Sequence, residues 1–324
     1  MSRERILFTG LGIETGQSQQ GLHLSPQAFR SQWGRWKNSG LHVCDLGDFI
    51  AAHHGRSPKI CASHEFERFP LQIYRDAYRA LQNSPQGELH LHWGGDHSVA
   101  ISSVGAFLHH HPRGKVVWID AHADMNLPET SPTGNFHGMP LAVLLNLAGI
   151  GEFHFPWLSH FLRPENLLML GVRDLDPFEK ASLHHNGIRS LSSEDVRRLG
   201  PQRLDALIRD WVGSSPLHVS FDIDSVDPAD APATGVPVDG GLSRQEAVDI
   251  AQALGAAPGL CSVDVVEINP LLGTAQQVEE TYETAWRFLW PLLLGGKRSE
   301  APSVPVAHGR GLRLLGADLR PALL

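Results

Sequence analysis

The sequence predicts an α/β fold of three α-β-α layers, built on a mainly parallel sheet of about eight strands. Short apolar runs alternate with longer helical patterns along the whole chain. Several of these runs are apolar at nearly every position, as strands buried on both faces must be. Asp, His and Glu gather just after them, at the strand ends where open α/β sheets bind ligands.

The candidate strands, in order, are 6–10, 42–45, 88–93, 116–120, 167–171, 218–222 and 261–267, with a last one around 312–315 closed by Gly316. Helical patterns fall between them at 71–82, 99–110, 141–146, 201–212, 244–254 and 277–289. Ser243, with Glu246 three residues on, has capping-box spacing and starts the fifth helix. Residues 295–308 read as a surface loop. No internal repeat or composition shift marks a boundary, so the 324 residues are expected to form a single domain, 1–324.

Composition excludes several classes. With 27 basic and 35 acidic residues the net charge is −8, which lacks the basic excess of a nucleic-acid binder. The longest apolar run, 286–294, contains Arg287 and Pro291 and is far short of the roughly 20 residues a membrane span needs. The N-terminus has no secretory pattern, and three cysteines in no CxxC spacing fit a reducing compartment. A cytoplasmic location is the expectation.

Four strand-end segments carry the chemistry: WGGDHS at 93–98, WIDAHAD at 118–124, SFDIDSVDP at 220–228 and VVEINP at 265–270. On extended backbone, Asp120, His122 and Asp124 share one face, as do Asp222 and Asp224. Bringing these ends together concentrates four carboxylates beside His122 and His97, and such a cluster calls for divalent cations. A pair of bridged ions suits the set, and two ions can supply hydroxide near neutral pH. The donors are oxygen-rich and lack thiolate, which favours Mn²⁺ and leaves Co²⁺, Ni²⁺ and Fe²⁺ open. Singly, each segment could be turn chemistry or a helix cap; four at successive strand ends favour a metal site. Glu267 in an apolar strand needs a cation or a cavity.

Other motifs fail. The third glycine of 10–16 falls one residue late for a dinucleotide loop, 222–233 has the wrong residues for a calcium loop, and neither HExxH nor GxSxG is present. Among the 19 histidines, His109 to His111 read as the end of a solvated helix, and His53, His54, His184 and His185 as polar loop residues. His90 and His92 read as packed, and Trp93 and Trp118 as core.

Taken together, GGDHS at 94–98, DAHADMN at 120–126, GNFHG at 134–138, SFDIDSVDP at 220–228, PATGVPVDGGL at 232–242 and EINPLLG at 267–273 resemble the ureohydrolase (arginase/agmatinase) family, arginases in particular. GQSQQGLHLSPQAFR at 16–30 and GVRDLDP at 171–177 add weaker similarity, so the resemblance spans nearly the whole chain. It implies two Mn²⁺, one held by His97, Asp120, Asp124 and Asp222, the other by Asp120, His122, Asp222 and Asp224. Asp120 and Asp222 would bridge, and Asp124 would orient a bridging hydroxide. Glu267 would accept the substrate guanidinium and His137 would shuttle protons.

The resemblance further implies that Asn126, Ser131, Thr133 and Asn135 contact an α-carboxylate and that Asp176 reads the α-amino group. The expected reaction is hydrolysis of L-arginine to L-ornithine and urea. An agmatinase or other guanidino-compound hydrolase is the alternative, and an inactive metal-binding homologue a further one. Thr133 stands where arginases usually carry Ser, keeping the hydroxyl, and Val236 where they carry Thr, losing it. The family also implies a homo-oligomer, a trimer or hexamer.

Overall fold

The structure, a computed structural model, describes residues 5–36, 40–53 and 58–296. Its centre is one eight-stranded sheet: β1 Arg5–Ile13, β2 His42–Ala51, β3 Leu89–Gly94, β4 Lys115–Ile119, β5 Leu167–Gly171, β6 Arg189–Ser192, β7 Leu217–Asp222 and β8 Leu260–Val266. Their spatial order is β2-β1-β3-β8-β7-β4-β5-β6, and every pairing is parallel. The α-helices are α1 Ser25–Arg30, α2 Leu71–Gln82, α3 Ala100–His110, α4 Pro140–Leu144, α5 Ile150–His154, α6 Pro177–His185, α7 Ser193–Val212, α8 Arg244–Gly255 and α9 Ala275–Leu293.

Strand alternation divides the core into layers. Along β4, Val117 and Ile119 join a cluster with Ile208 of α7, Leu254 of α8 and Trp286 of α9. Val116 and Trp118 face the opposite way, toward Val104 and Phe107 of α3 and Leu144 of α4. Leu168 and Leu170 divide from Leu167 and Met169 of β5 in the same manner. Successive side chains of a strand point to opposite faces, so a run apolar at every position requires a helical layer on each side. The predicted α-β-α architecture is what forms.

The differences from expectation are local. The predicted strand around 312–315 lies outside the described residues, as does all but the start of the predicted loop 295–308; the eighth strand of the sheet is β6. It is short and polar, with no apolar run to betray it. The helix predicted from 201 starts earlier, as α7, because Ser192 caps a first segment in a capping box with Asp195. Gly200, at φ 71°, breaks that segment from the Pro201 half. His184 and His185 end α6 rather than lie in a loop. His53 is buried, its amide donating to Glu14 Oε1 at 3.3 Å; His54 lies outside the described residues. No described helix is long and apolar enough to cross a membrane.

A polar network sits inside this core. Asp264 on β8 is fully buried and accepts from His92 Nδ1 of β3 (2.7 Å), His218 Nε2 of β7 (3.1 Å) and the Ser103 hydroxyl of α3. Burial pushes the Asp264 carboxyl up, but the charge and hydrogen bonds of His218 and His92 outweigh it and hold it below the usual carboxylate range. A depressed carboxyl stabilises the fold above its unfolded value, and that stabilisation is lost as pH falls toward the folded one. Asp264→Asn should therefore cost about 3 kcal/mol at pH 7, read from the urea midpoint, because it leaves buried partners unmatched. A loss below about 1 kcal/mol would contradict this account.

Candidate metal centre

The chain leaves β3, passes through α3, and re-enters the sheet at β4, leaving a gap that β7 and β8 later fill. Ligand sites form at the carboxyl ends of strands where the winding direction switches. Here β3, β8, β7 and β4 are consecutive neighbours, so the four predicted strand-end segments emerge side by side.

Gly95 follows β3 in the first segment because only glycine fits there: a Cβ would meet Ile13 O at 2.0 Å. Asp96 then caps the following turn, accepting from the Ser98 amide at 3.0 Å and the Gly16 amide at 2.7 Å. This turn buries His97 completely, stacked on Trp118 with ring centroids 3.9 Å apart. Trp118 also donates Nε1–H to Asp120 Oδ2 at 2.9 Å, so it serves the site as well as the core.

His97 Nδ1 lies 3.0 Å from Asp120 Oδ2, 3.1 Å from Asp124 Oδ2 and 3.0 Å from Asp222 Oδ2. It is buried yet aligned for a hydrogen bond with none of them. Its other nitrogen, Nε2, is 2.9 Å from Ser220 Oγ, a contact that fixes the ring as outer-shell partners of metal-binding histidines do. One nitrogen converging on three carboxylate oxygens is a donor set for a divalent cation.

A second group adjoins the first. His122 Nδ1 lies 3.1 Å from Asp224 Oδ2 and 3.5 Å from Asp120 Oδ1. The two oxygens of Asp120 thus face different groups, and three-residue sets able to hold an ion form around each: His97, Asp120 and Asp222, and Asp120, His122 and Asp224. The residues fit a pair of ions sharing a carboxylate.

Electrostatics point the same way. Burial, with the charges of neighbouring carboxylates, raises Asp222 and Asp224 and pushes Asp124 up to about 6. Burial opposes ionisation of Asp120 too, but the adjacent His122 and His97 imidazoles hold it low. Both histidines are raised against their own burial by the surrounding carboxylates. Such a cluster stores repulsion that positive charge relieves. Asp124 (φ 49°) and Glu267 (φ 65°) also adopt left-handed backbone, costing roughly 1–2 kcal/mol each.

Beside the cluster, His137 Nδ1 donates to Glu267 Oε1 at 3.1 Å. Burial lowers His137, but the hydrogen bond and charge of Glu267 outweigh it and raise it to about 9. Glu267 also accepts from the His97 amide (2.9 Å) and Gln17 Nε2 (2.6 Å). Asn126 Nδ2 donates to Asp176 Oδ2 at 2.7 Å. Ser131, Thr133 and Asn135 follow on the same loop, with the Ser131 hydroxyl accepting from the Gly134 amide and that of Thr133 from the Asn135 amide.

Three residues escaped the sequence reading. Gln17 lies in the segment 16–30, whose similarity was the only signal. Glu179 is buried and accepts from the amides of Met125 (3.1 Å) and Asp176 (3.0 Å). Burial, with the charges of Asp124 and Asp176, raises it to about 7. Arg173 donates to five backbone carbonyls, those of Gly171, Asp224, Ser225, Val238 and Asp239, tying the Asp224 turn to the 238–241 loop. Among the other histidines, His90 bonds Pro85 O and His110 bonds Gln82 O, so both are packed structural groups.

The pattern described as Arginase family matches residues 4–295. Arginase from Neurospora crassa is 40% identical over 301 residues, covering 86% of this chain and 82% of its own. The crystal structure of arginase from Bacillus subtilis superposes with a TM-score of 0.77 at 32% identity, covering 91% of this chain and 99% of that one. Entamoeba histolytica arginase in complex with L-ornithine gives a TM-score of 0.77 at 26% identity, over 90% and 99% of the two chains. Family members depend on a binuclear metal centre, and they cleave guanidino C–N bonds. The chain belongs to the arginase family.

Proposed function

We propose that the protein hydrolyses L-arginine to L-ornithine and urea, using two Mn²⁺ held by His97, Asp120, His122, Asp124, Asp222 and Asp224. The observation that carries this reading is the His137–Glu267 pair beside the carboxylate cluster, with the Asn126–Asp176 pair on the adjoining loop. When bound, the ion pair lowers the pKa of a coordinated water and supplies hydroxide near neutral pH.

The chain's own groups do the rest. Glu267, a buried carboxylate, offers a guanidinium a charge-assisted partner and orients it. Asp124 orients the nucleophile. His137, protonated while paired with Glu267, delivers its proton to the departing amine. Asp176 takes up the α-amino group, while Asn126, Ser131, Thr133 and Asn135 supply donors to the α-carboxylate. The L-ornithine complex of the Entamoeba relative supports an amino-acid substrate and product for this reading.

Urea release from L-arginine and from agmatine, after loading with Mn²⁺ and separately with Co²⁺ or Ni²⁺, tests the proposal. L-arginine with Mn²⁺ should give kcat/KM at least about a hundredfold above agmatine, since a site built around a carboxylate leaves polar groups unpaired without one. Equal or reversed preference would overturn the substrate assignment.

A further inference from the structure

The segment preceding α2 touches the substrate loop. Ile60 is fully buried and its amide donates to Gly134 O at 2.8 Å. Gly134 sits at φ +66°, and a Cβ there would lie 2.7 Å from Cys61 Sγ and 3.3 Å from Lys59 Cβ. The two segments therefore run in close apposition. From this seat the exposed Lys59 extends its ammonium to donate to Asn135 Oδ1.

That bond decides which way the Asn135 amide faces. An asparagine can present either an acceptor oxygen or a donor NH₂. With Oδ1 taken by Lys59, the Nδ2 hydrogens remain to donate. The Ser131 and Thr133 hydroxyls are biased alike, since each accepts a backbone N–H through its oxygen and keeps its proton to give. The loop thus presents donors, which is what a carboxylate takes. Its surroundings are acidic: Asp176 bonds Asn126, and Glu129, on the loop itself, bonds Ser63. A carboxylate entering there meets like charge, and Lys59 supplies opposite charge at Asn135.

We propose that Lys59 is a specificity-determining residue that orients the Asn135 amide and selects guanidino substrates carrying an α-carboxylate. The inference rests on the L-arginine reading above.

The test uses the Mn²⁺-loaded enzyme. Lys59→Gln should raise KM for L-arginine about tenfold with kcat within about twofold, while Lys59→Arg restores KM. Inhibition by L-ornithine should weaken by about the same factor, and inhibition by 1,4-diaminobutane, which lacks the carboxylate, should not change. Raising salt should lift the wild-type KM more steeply than that of Lys59→Gln. An unchanged KM, or equal weakening of both inhibitors, overturns the role of Lys59. A wild-type enzyme that releases no urea from L-arginine overturns the substrate reading itself.

Discussion

Asp120→Asn is expected to lower urea release by about a thousandfold or more and to take bound metal from two ions per chain to fewer than one. Asp120 is the residue common to both candidate groups, one oxygen toward His97 and the other toward His122. Its charge also raises the pKa of Asp124, Asp222 and Asp224. The substitution leaves one oxygen where two groups each had their own, removes the charge both share and relaxes the repulsion that makes cation binding favourable. Loss of the site is separable from loss of the fold. In the wild type, Mn²⁺ at a hundred times its dissociation constant should add about 2.7 kcal/mol of stability, seen as a rising Tm. In Asp120→Asn the Tm should not respond to Mn²⁺, while the circular dichroism spectrum stays native. Two ions per chain in the variant, counted by plasma mass spectrometry, would remove Asp120 from the ligand set.

How much of this was legible in the sequence depended on where the signal was local. Strands β4 and β5 announce themselves because burial on both faces demands continuous apolar runs. Strands β3, β7 and β8 show shorter apolar patterns interrupted by His, Ser or Asp side chains that the fold buries in polar contacts. The edge strand β6, Arg189–Ser192, carries no such demand and stayed invisible. The first half of α7 was missed because Gly200-Pro201 reads as a start, while the Ser192 cap lies a turn and more upstream. Metal-type donors were legible because Asp and His cluster just after apolar strands, but the extended alternation expected of them does not form. β4 ends at Ile119, Asp124 takes a left-handed backbone at φ 49° and Asp224 lies in a 3-10 turn, so it is the turns after β4 and β7 that bring the donors together. What could not be read was contact across distance. Arg173 joins carbonyls of the Asp224 turn and the 238–239 loop, Trp118 stacks on His97, and Lys59 meets Asn135 from 76 positions away. Such roles follow from topology, which brings together segments that share no periodicity.

His137→Asn should lower kcat by about a hundredfold to ten-thousandfold while leaving both metals bound, the range expected when a positioned proton donor is removed. His137 bonds Glu267 and is not among the residues that converge on the candidate ions. Its pKa is raised to about 9, chiefly by the hydrogen bond and charge of Glu267 working against burial. A proton donor acts only while protonated, so the wild-type kcat should fall as pH passes about 9, and the variant should lose that alkaline limb. Stability follows the same sign. A histidine raised above its unfolded value of 6.5 contributes fully below that value and loses its contribution as pH rises through about 9. Wild type should therefore exceed His137→Asn in urea resistance at pH 6 and match it near pH 10. A variant whose kcat stays within twofold of wild type would end the proton-donor assignment. A kcat that falls together with metal content would instead make His137 a structural support of the metal centre.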